Sequence, residues 1–124
     1  MAIYRGTEAV VHRMHGSVFH AFASPSNGSA ELCAWRVEIA AGVTGVPHRV
    51  GRDEVLMMSA GELSVSLDGV AARVAAGDVL VVPAGTEFRV DNDGTETAAA
   101  WVTTSAGFEA TLPDGTTLTP PWAS

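Results

Sequence analysis

Thirteen glycines and six prolines are scattered along 124 residues and cut the chain into short apolar pieces. Gly and Pro interrupt regular structure, so a chain punctuated this way has little room for helices. The longest helical candidate, residues 71–76, stops at Gly77. Strand signals recur instead, as brief runs of Val, Leu, Thr and aromatic residues bounded by Gly, Pro, Asn and Asp. The pattern predicts strands over residues 9–14, 18–23, 31–40, 54–59, 63–67, 78–82, 88–90 and 98–104. Within residues 31–40, Cys33, Trp35, Val37 and Ile39 alternate with Leu32, Ala34, Arg36 and Glu38. That alternation gives the strand one buried and one open face. Asp68-Gly69 is a hairpin-turn signal, and Pro113-Asp114-Gly115 turns a last hairpin between residues 109–112 and 116–119. Many short strands with regularly spaced turns predict an all-β sandwich or barrel. No linker or low-complexity tract divides residues 1–124, so one domain is expected, with Trp122 of the tail docked onto it.

Charge narrows the partners. Seven Arg and no Lys stand against fourteen Asp plus Glu, a formal net charge of -7. Such a surface repels nucleic-acid phosphates and anionic membranes, so neither is an expected partner. The absence of Lys removes Schiff-base chemistry and the phosphate-loop lysine. A single cysteine, Cys33, excludes an intrachain disulfide and a cysteine-cluster metal site. With no basic neighbour in sequence to lower its pKa, Cys33 reads as inert core. The segment MAIYRGTEAV lacks an apolar signal core and no run approaches a membrane span, so a cytoplasmic location is expected. Enrichment in Ala, Gly and Val, with Arg in place of Lys, points to a GC-rich bacterial source.

Two segments have regular spacing. Gly42, His48, Val50, Glu54 and Gly61 are separated by five, one, three and six residues. Gly77, Pro83, Gly85, Phe88 and Asn92 follow with gaps of five, one, two and three. This resembles the two motifs of the cupin superfamily, G-x5-H-x-H-x3,4-E-x6-G and G-x5-P-x-G-x2-H-x3-N. Every motif glycine, the proline and the asparagine fall in register, over residues 42–61 and 77–92. Gly and Pro report backbone geometry, so the match bears mainly on fold. It implies a double-stranded β-helix, or jelly-roll barrel, of the small single-domain bacterial kind.

The resemblance also implies a site. Cupins usually hold one divalent metal through three histidines and a glutamate. Here His48 and Glu54 stand at two of those positions, while Val50 and Phe88 occupy the other two and cannot ligate. Two protein ligands fall short of the usual three, so the metal site is degenerate and no cofactor is expected. His12, His15 and His20 lie on the N-terminal strands, and His20 is the candidate for a rebuilt ligand set. In the resembled fold His48 and Glu54 point into the barrel from neighbouring strands. Without a metal between them they are expected to approach hydrogen-bonding distance as an acid–base dyad. Strand parity places Leu56 and Met58 on the face of Glu54, and Val90 on the face of Phe88. With Trp35, Arg36, Val50 and Trp101, these residues form the expected ligand-binding wall: apolar and bulky, with Arg36 able to meet an anionic group. Any small barrel fills its interior with such residues, and ordinary barrel filling is the more frequent reading of them.

The leading functional expectation is binding of a small organic molecule, with metal-independent isomerisation, cyclisation or dehydration at His48 and Glu54. One alternative is a non-catalytic ligand-binding or sensor module. The other is a metal-dependent cupin with a rebuilt ligand set. A homodimer is also expected, because residues 9–14 and 79–82 carry more apolar surface than one half-buried sheet face requires.

Overall fold

The computed structural model describes residues 1–124, with twelve strands and two single 3-10 turns. The strands are β1 (Val10–Met14), β2 (Ser17–Ala23), β3 (Leu32–Ile39), β4 (His48–Val50), β5 (Glu54–Ala60) and β6 (Glu62–Leu67). They continue with β7 (Val70–Ala75), β8 (Val79–Val82), β9 (Glu87–Asp91), β10 (Ala98–Ser105), β11 (Ala110–Thr111) and β12 (Thr117–Leu118). Two six-stranded antiparallel sheets result, ordered β1-β2-β3-β10-β5-β8 and β12-β11-β4-β9-β6-β7. This is the all-β jelly-roll barrel.

Two-residue turns join β1 to β2 and β6 to β7. His15 and Gly16 have φ of 51° and 80°, and Asp68 and Gly69 have φ of 48° and 81°. Positive φ at both central positions matches the right-handed twist of the paired strands. The 71–76 stretch, a truncated helix candidate by sequence, lies in strand β7 up to Ala75. Its partner β6 supplies the ladder that a short, Ala-rich run needs in order to extend. Strand β4 is only three residues long and too brief to carry a periodic signal.

The alternation in β3 holds residue by residue: Cys33, Trp35, Val37 and Ile39 are buried, while Leu32, Ala34, Arg36 and Glu38 face outward. The inner faces of both sheets meet in one core, to which β3, β5, β6 and β10 contribute most. Burying a side chain such as Leu56 or Phe88 stabilises the fold by roughly 1.5–3 kcal/mol each. Trp122, on the second 3-10 turn, stacks on Phe19 with ring centroids 3.6 Å apart and so closes the barrel beside β2. Asn92 is a structural tie. Its amide donates to the carbonyls of Ile39 and Glu96, each at 2.9 Å, and its carbonyl accepts from Gly94 N at 3.1 Å. No helix is long and apolar enough to cross a membrane.

Candidate functional site

His48 opens β4 directly after Pro47, which holds the preceding backbone extended. Its cross-strand partner is Phe88 of β9. The imidazole meets the Phe88 ring edge-on at 5.8 Å, and Nδ1 lies 3.1 Å from the Val46 carbonyl. The loop leading to His48 is pinned to β9. Asp91 accepts a hydrogen bond from Gly45 N at 2.7 Å and a second from Arg89 Nε at 3.0 Å. Gly42 and Val43 exchange backbone bonds with Asn92. Gly45 is held so close to the Val90 carbonyl that a β-carbon would collide with backbone there. Asp91 and Gly45 thus fix where His48 sits. Sequence reasoning missed both, because their role exists only once β4 is paired with β9.

Glu54 opens β5 in the other sheet, registered between Val82 of β8 and Thr104 of β10. Its side chain points inward, on the same side of the strand as Leu56 and Met58. It is 5% exposed, and burial pushes its carboxyl pKa up to about 7. No cation lies within 4.0 Å of the carboxylate. The neighbouring Thr104 hydroxyl donates instead to the Asp53 carbonyl, at 2.6 Å. A carboxyl with a pKa near neutrality can both give and take a proton at pH 7.

The remaining sequence candidates divide by sheet face. Trp35, Val50, Leu56, Met58 and Phe88 are all buried in the core, and Val90 packs against it half-buried, opposite Val65. Trp35 meets Phe108 at 6.3 Å. Arg36 and Trp101 do not belong with them. They are cross-strand partners on the outer face of the first sheet, where the alternation within β3 already sets Arg36 opposite to Trp35. Arg36 there bonds Glu38 at 2.5 Å. The expected hydrogen-bonded dyad also needs correction, since no His48 nitrogen comes within 4.0 Å of a Glu54 oxygen. The two residues start strands in opposite sheets, and the imidazole is turned to its own loop carbonyl. Two surface concavities, over residues 13–18 and beside Gly61, Glu62 and Asn92, are lined by neither residue.

The metal expected of the usual motif does not fit these residues. Val50 and Phe88 fill the two vacated ligand positions with carbon, at 0% and 2% exposure. No group of three or more His, Cys, Asp or Glu side chains is placed to hold a metal ion. His20 stands on the outer side of β2, its Nε2 buried 3.2 Å from Glu38 Oε1 without a hydrogen-bond partner. His15 sits in the β1–β2 turn, and His12 lies beside Trp122 at 6.3 Å.

Comparison with known proteins bears on the family and the fold. The chain resembles, at 21% identity and a TM-score of 0.73, an RmlC-like cupin from Shewanella frigidimarina, covering 85% of this chain and 90% of that one. It resembles the polyketide cyclase RemF from Streptomyces resistomycificus at 15% identity and a TM-score of 0.74, covering 85% and 79%. A cupin-superfamily sugar phosphate isomerase from Silicibacter pomeroyi gives 20% identity and a TM-score of 0.69, covering 80% and 66%. At such identities the likeness shows the fold alone. No curated protein matches the sequence. The family model described as the cupin domain matches residues 35–105, more than half of the chain. The two motifs, the two-sheet barrel and this match agree, and the chain belongs to the cupin family.

Proposed function

We propose that the chain binds a small organic molecule at the His48–Glu54 region of the barrel and moves a proton on it without a metal. The observation that carries this reading is Glu54: a buried carboxyl with a pKa of about 7, no neutralising cation, and Leu56 and Met58 on its own face. A buried acid without a counter-charge costs stability, and such groups are concentrated at functional sites. Glu54 acts as the general acid or base. His48, on the opposite sheet, holds or polarises the substrate. Isomerisation, cyclisation and dehydration all fit, because each needs proton transfer and a shaped apolar environment. The fold's likeness to a polyketide cyclase and to a sugar phosphate isomerase is consistent with that reaction range.

A ligand screen by thermal shift, using small aromatic ketones and sugar phosphates as probes, tests the reading. A compound that stabilises the wild type, loses that effect in His48→Ala, and is turned over at least ~100-fold more slowly by Glu54→Gln supports it. A stabilising compound indifferent to both substitutions places the ligand elsewhere and refutes it. Binding without turnover is the second reading, favoured by the separation of His48 from Glu54. It is distinguished by a ligand that needs both side chains yet is recovered unchanged.

A further inference from the structure

The fold keeps every arginine away from Glu54. Arg36, Arg49, Arg73 and Arg89 pair with carboxylates on the outside of the barrel. Arg5, Arg13 and Arg52 are exposed. The inner faces of β4, β5 and β9 carry two polar side chains, His48 and Glu54, among apolar neighbours such as Phe88 and Met58. A phosphate or carboxylate brought there would meet no guanidinium. It would also stand beside an acid that burial already disfavours in its ionised form. A second negative charge makes that ionisation harder still, and the like charges repel strongly away from water. The site therefore selects against anions and suits an uncharged ligand.

His48 adds a second constraint through its tautomer. Its Nδ1 lies 3.1 Å from the Val46 carbonyl. A carbonyl oxygen only accepts, so Nδ1 carries the proton and donates it. In the neutral ring the other nitrogen, Nε2, is then a lone pair that can only accept. Nε2 has no hydrogen-bond partner within the protein, and it is not buried. The geometry is held from both sides. Val46 stands between Gly45, whose N–H is fixed by Asp91 at 2.7 Å, and Pro47. Phe88 packs against the ring from the paired strand, at 5.8 Å and 62°. The chain thus presents one oriented, unpartnered acceptor.

The two polar groups are complementary. On one sheet His48 Nε2 accepts, and on the other the Glu54 carboxyl donates while it keeps its proton. We propose that the site takes an uncharged molecule bearing both a hydroxyl, of the phenol or enol kind, and a carbonyl. The hydroxyl donates to Nε2 of His48, and the carbonyl accepts from the Glu54 carboxyl. This rests on the reading that the ligand lies between those two residues, and it goes further by naming the ligand's chemistry. The Val46 carbonyl is the positioning group, because it decides which imidazole nitrogen is left to accept. An analogue with its hydroxyl blocked leaves Nε2 unpaired against apolar atoms, and a site built around such a bond discriminates strongly against it.

Two measurements on the full chain test this. Long-range proton–nitrogen NMR correlations of the ligand-free protein, at a pH that leaves the imidazole neutral, read the tautomer of His48. Its signals are assigned by their loss in His48→Gln. The ring should be protonated on Nδ1, and a ring protonated on Nε2 overturns the proposal whatever binds. Titration calorimetry at neutral pH then compares meta-hydroxyacetophenone with its methyl ether and its phosphate ester. The phenol should bind at least ~10-fold more tightly than the ether, and the phosphate ester should not bind. His48→Phe should erase the preference for phenol over ether. Circular dichroism verifies that variant's barrel, and should it not fold, the tautomer and the wild-type ratio decide. An ether bound as tightly as the phenol, a phosphate ester bound more tightly, or no binding by any of the three overturns the ligand class. If such an ether or ester loses its binding in His48→Ala and Glu54→Gln, the ligand still lies between the two residues and only its chemistry is wrong. Binding of the phenol that neither substitution alters refutes the site itself.

Discussion

Replacing Glu54 with Gln should make the protein more stable, and more so as the pH rises. The carboxyl ionises at an ordinary 4.5 in the unfolded chain and at about 7 in the folded one. Between those values folding takes up a proton, so the native state of the wild type loses ground as pH increases. A rise from 4.5 to about 7, at about 1.4 kcal/mol per pH unit, amounts to about 3 kcal/mol. That contribution is fully present below pH 4.5, falls away up to pH 7, and is gone above it. Gln has nearly the same shape as a protonated Glu and no proton to lose. The variant and the wild type should therefore be alike at pH 4. The variant should gain progressively to about 3 kcal/mol at pH 8, or about 10 °C in Tm for a chain of this size. Urea denaturation of both proteins at half-unit pH intervals measures this. Using the difference between them cancels the other carboxylates and the histidines. A difference that stays flat with pH would mean that Glu54 does not titrate in this window, and the case for it as a neutral-pH acid would fall.

Three further outcomes are expected. The double variant Val50→His with Phe88→His should complete a three-histidine, one-carboxylate set with His48 and Glu54. It should bind a divalent ion of the Zn or Mn type stoichiometrically, and gain about 2.7 kcal/mol when free metal is 100-fold above Kd. Calorimetry showing no tighter binding than the parent would mean that the four positions do not converge. Asn92→Ala orphans the carbonyls of Ile39 and Glu96 and the amide of Gly94, and should cost about 3 kcal/mol by chemical denaturation, whereas a loss under about 1 would deny it a tying role. Trp122→Ala removes the ring stacked on Phe19 and should cost about 3–5 kcal/mol, and an unchanged Tm would show that the tail does not close the barrel.

The fold was legible because backbone geometry writes itself into residue type. Gly16 and Gly69 stand where φ must be positive, and the β3 alternation names its buried side outright. Parity from Glu54 assigned Leu56 and Met58 to the inner face for the same reason. The site was legible only by strand. Sequence alone groups Trp101 with Trp35 as barrel wall, although its register with Arg36 turns it outward, and register is a property of two strands that neither one encodes alone. The expected contact between His48 and Glu54 failed in a related way. A spacing along the chain fixes which residues open β4 and β5, not how far apart two sheets hold them. The raised pKa of Glu54 was likewise invisible, since it depends on what fails to surround the carboxyl.

Strand β10 has a consequence for how the protein must be made. It lies between β3 and β5, yet it is synthesised after both of them and after four further strands. While residues 98–105 are still inside the ribosome, β3 and β5 stand with open edges facing a missing strand, and the core lacks Ala98, Ala100 and Val102. At roughly 5–20 residues per second, that interval lasts several seconds. Exposed strand edges with apolar faces are templates for pairing with other chains. The vulnerable species is therefore the nascent chain, whose yield depends on elongation rate and chaperone cover. A substitution could leave the Tm of the finished barrel untouched and still empty the cell of it.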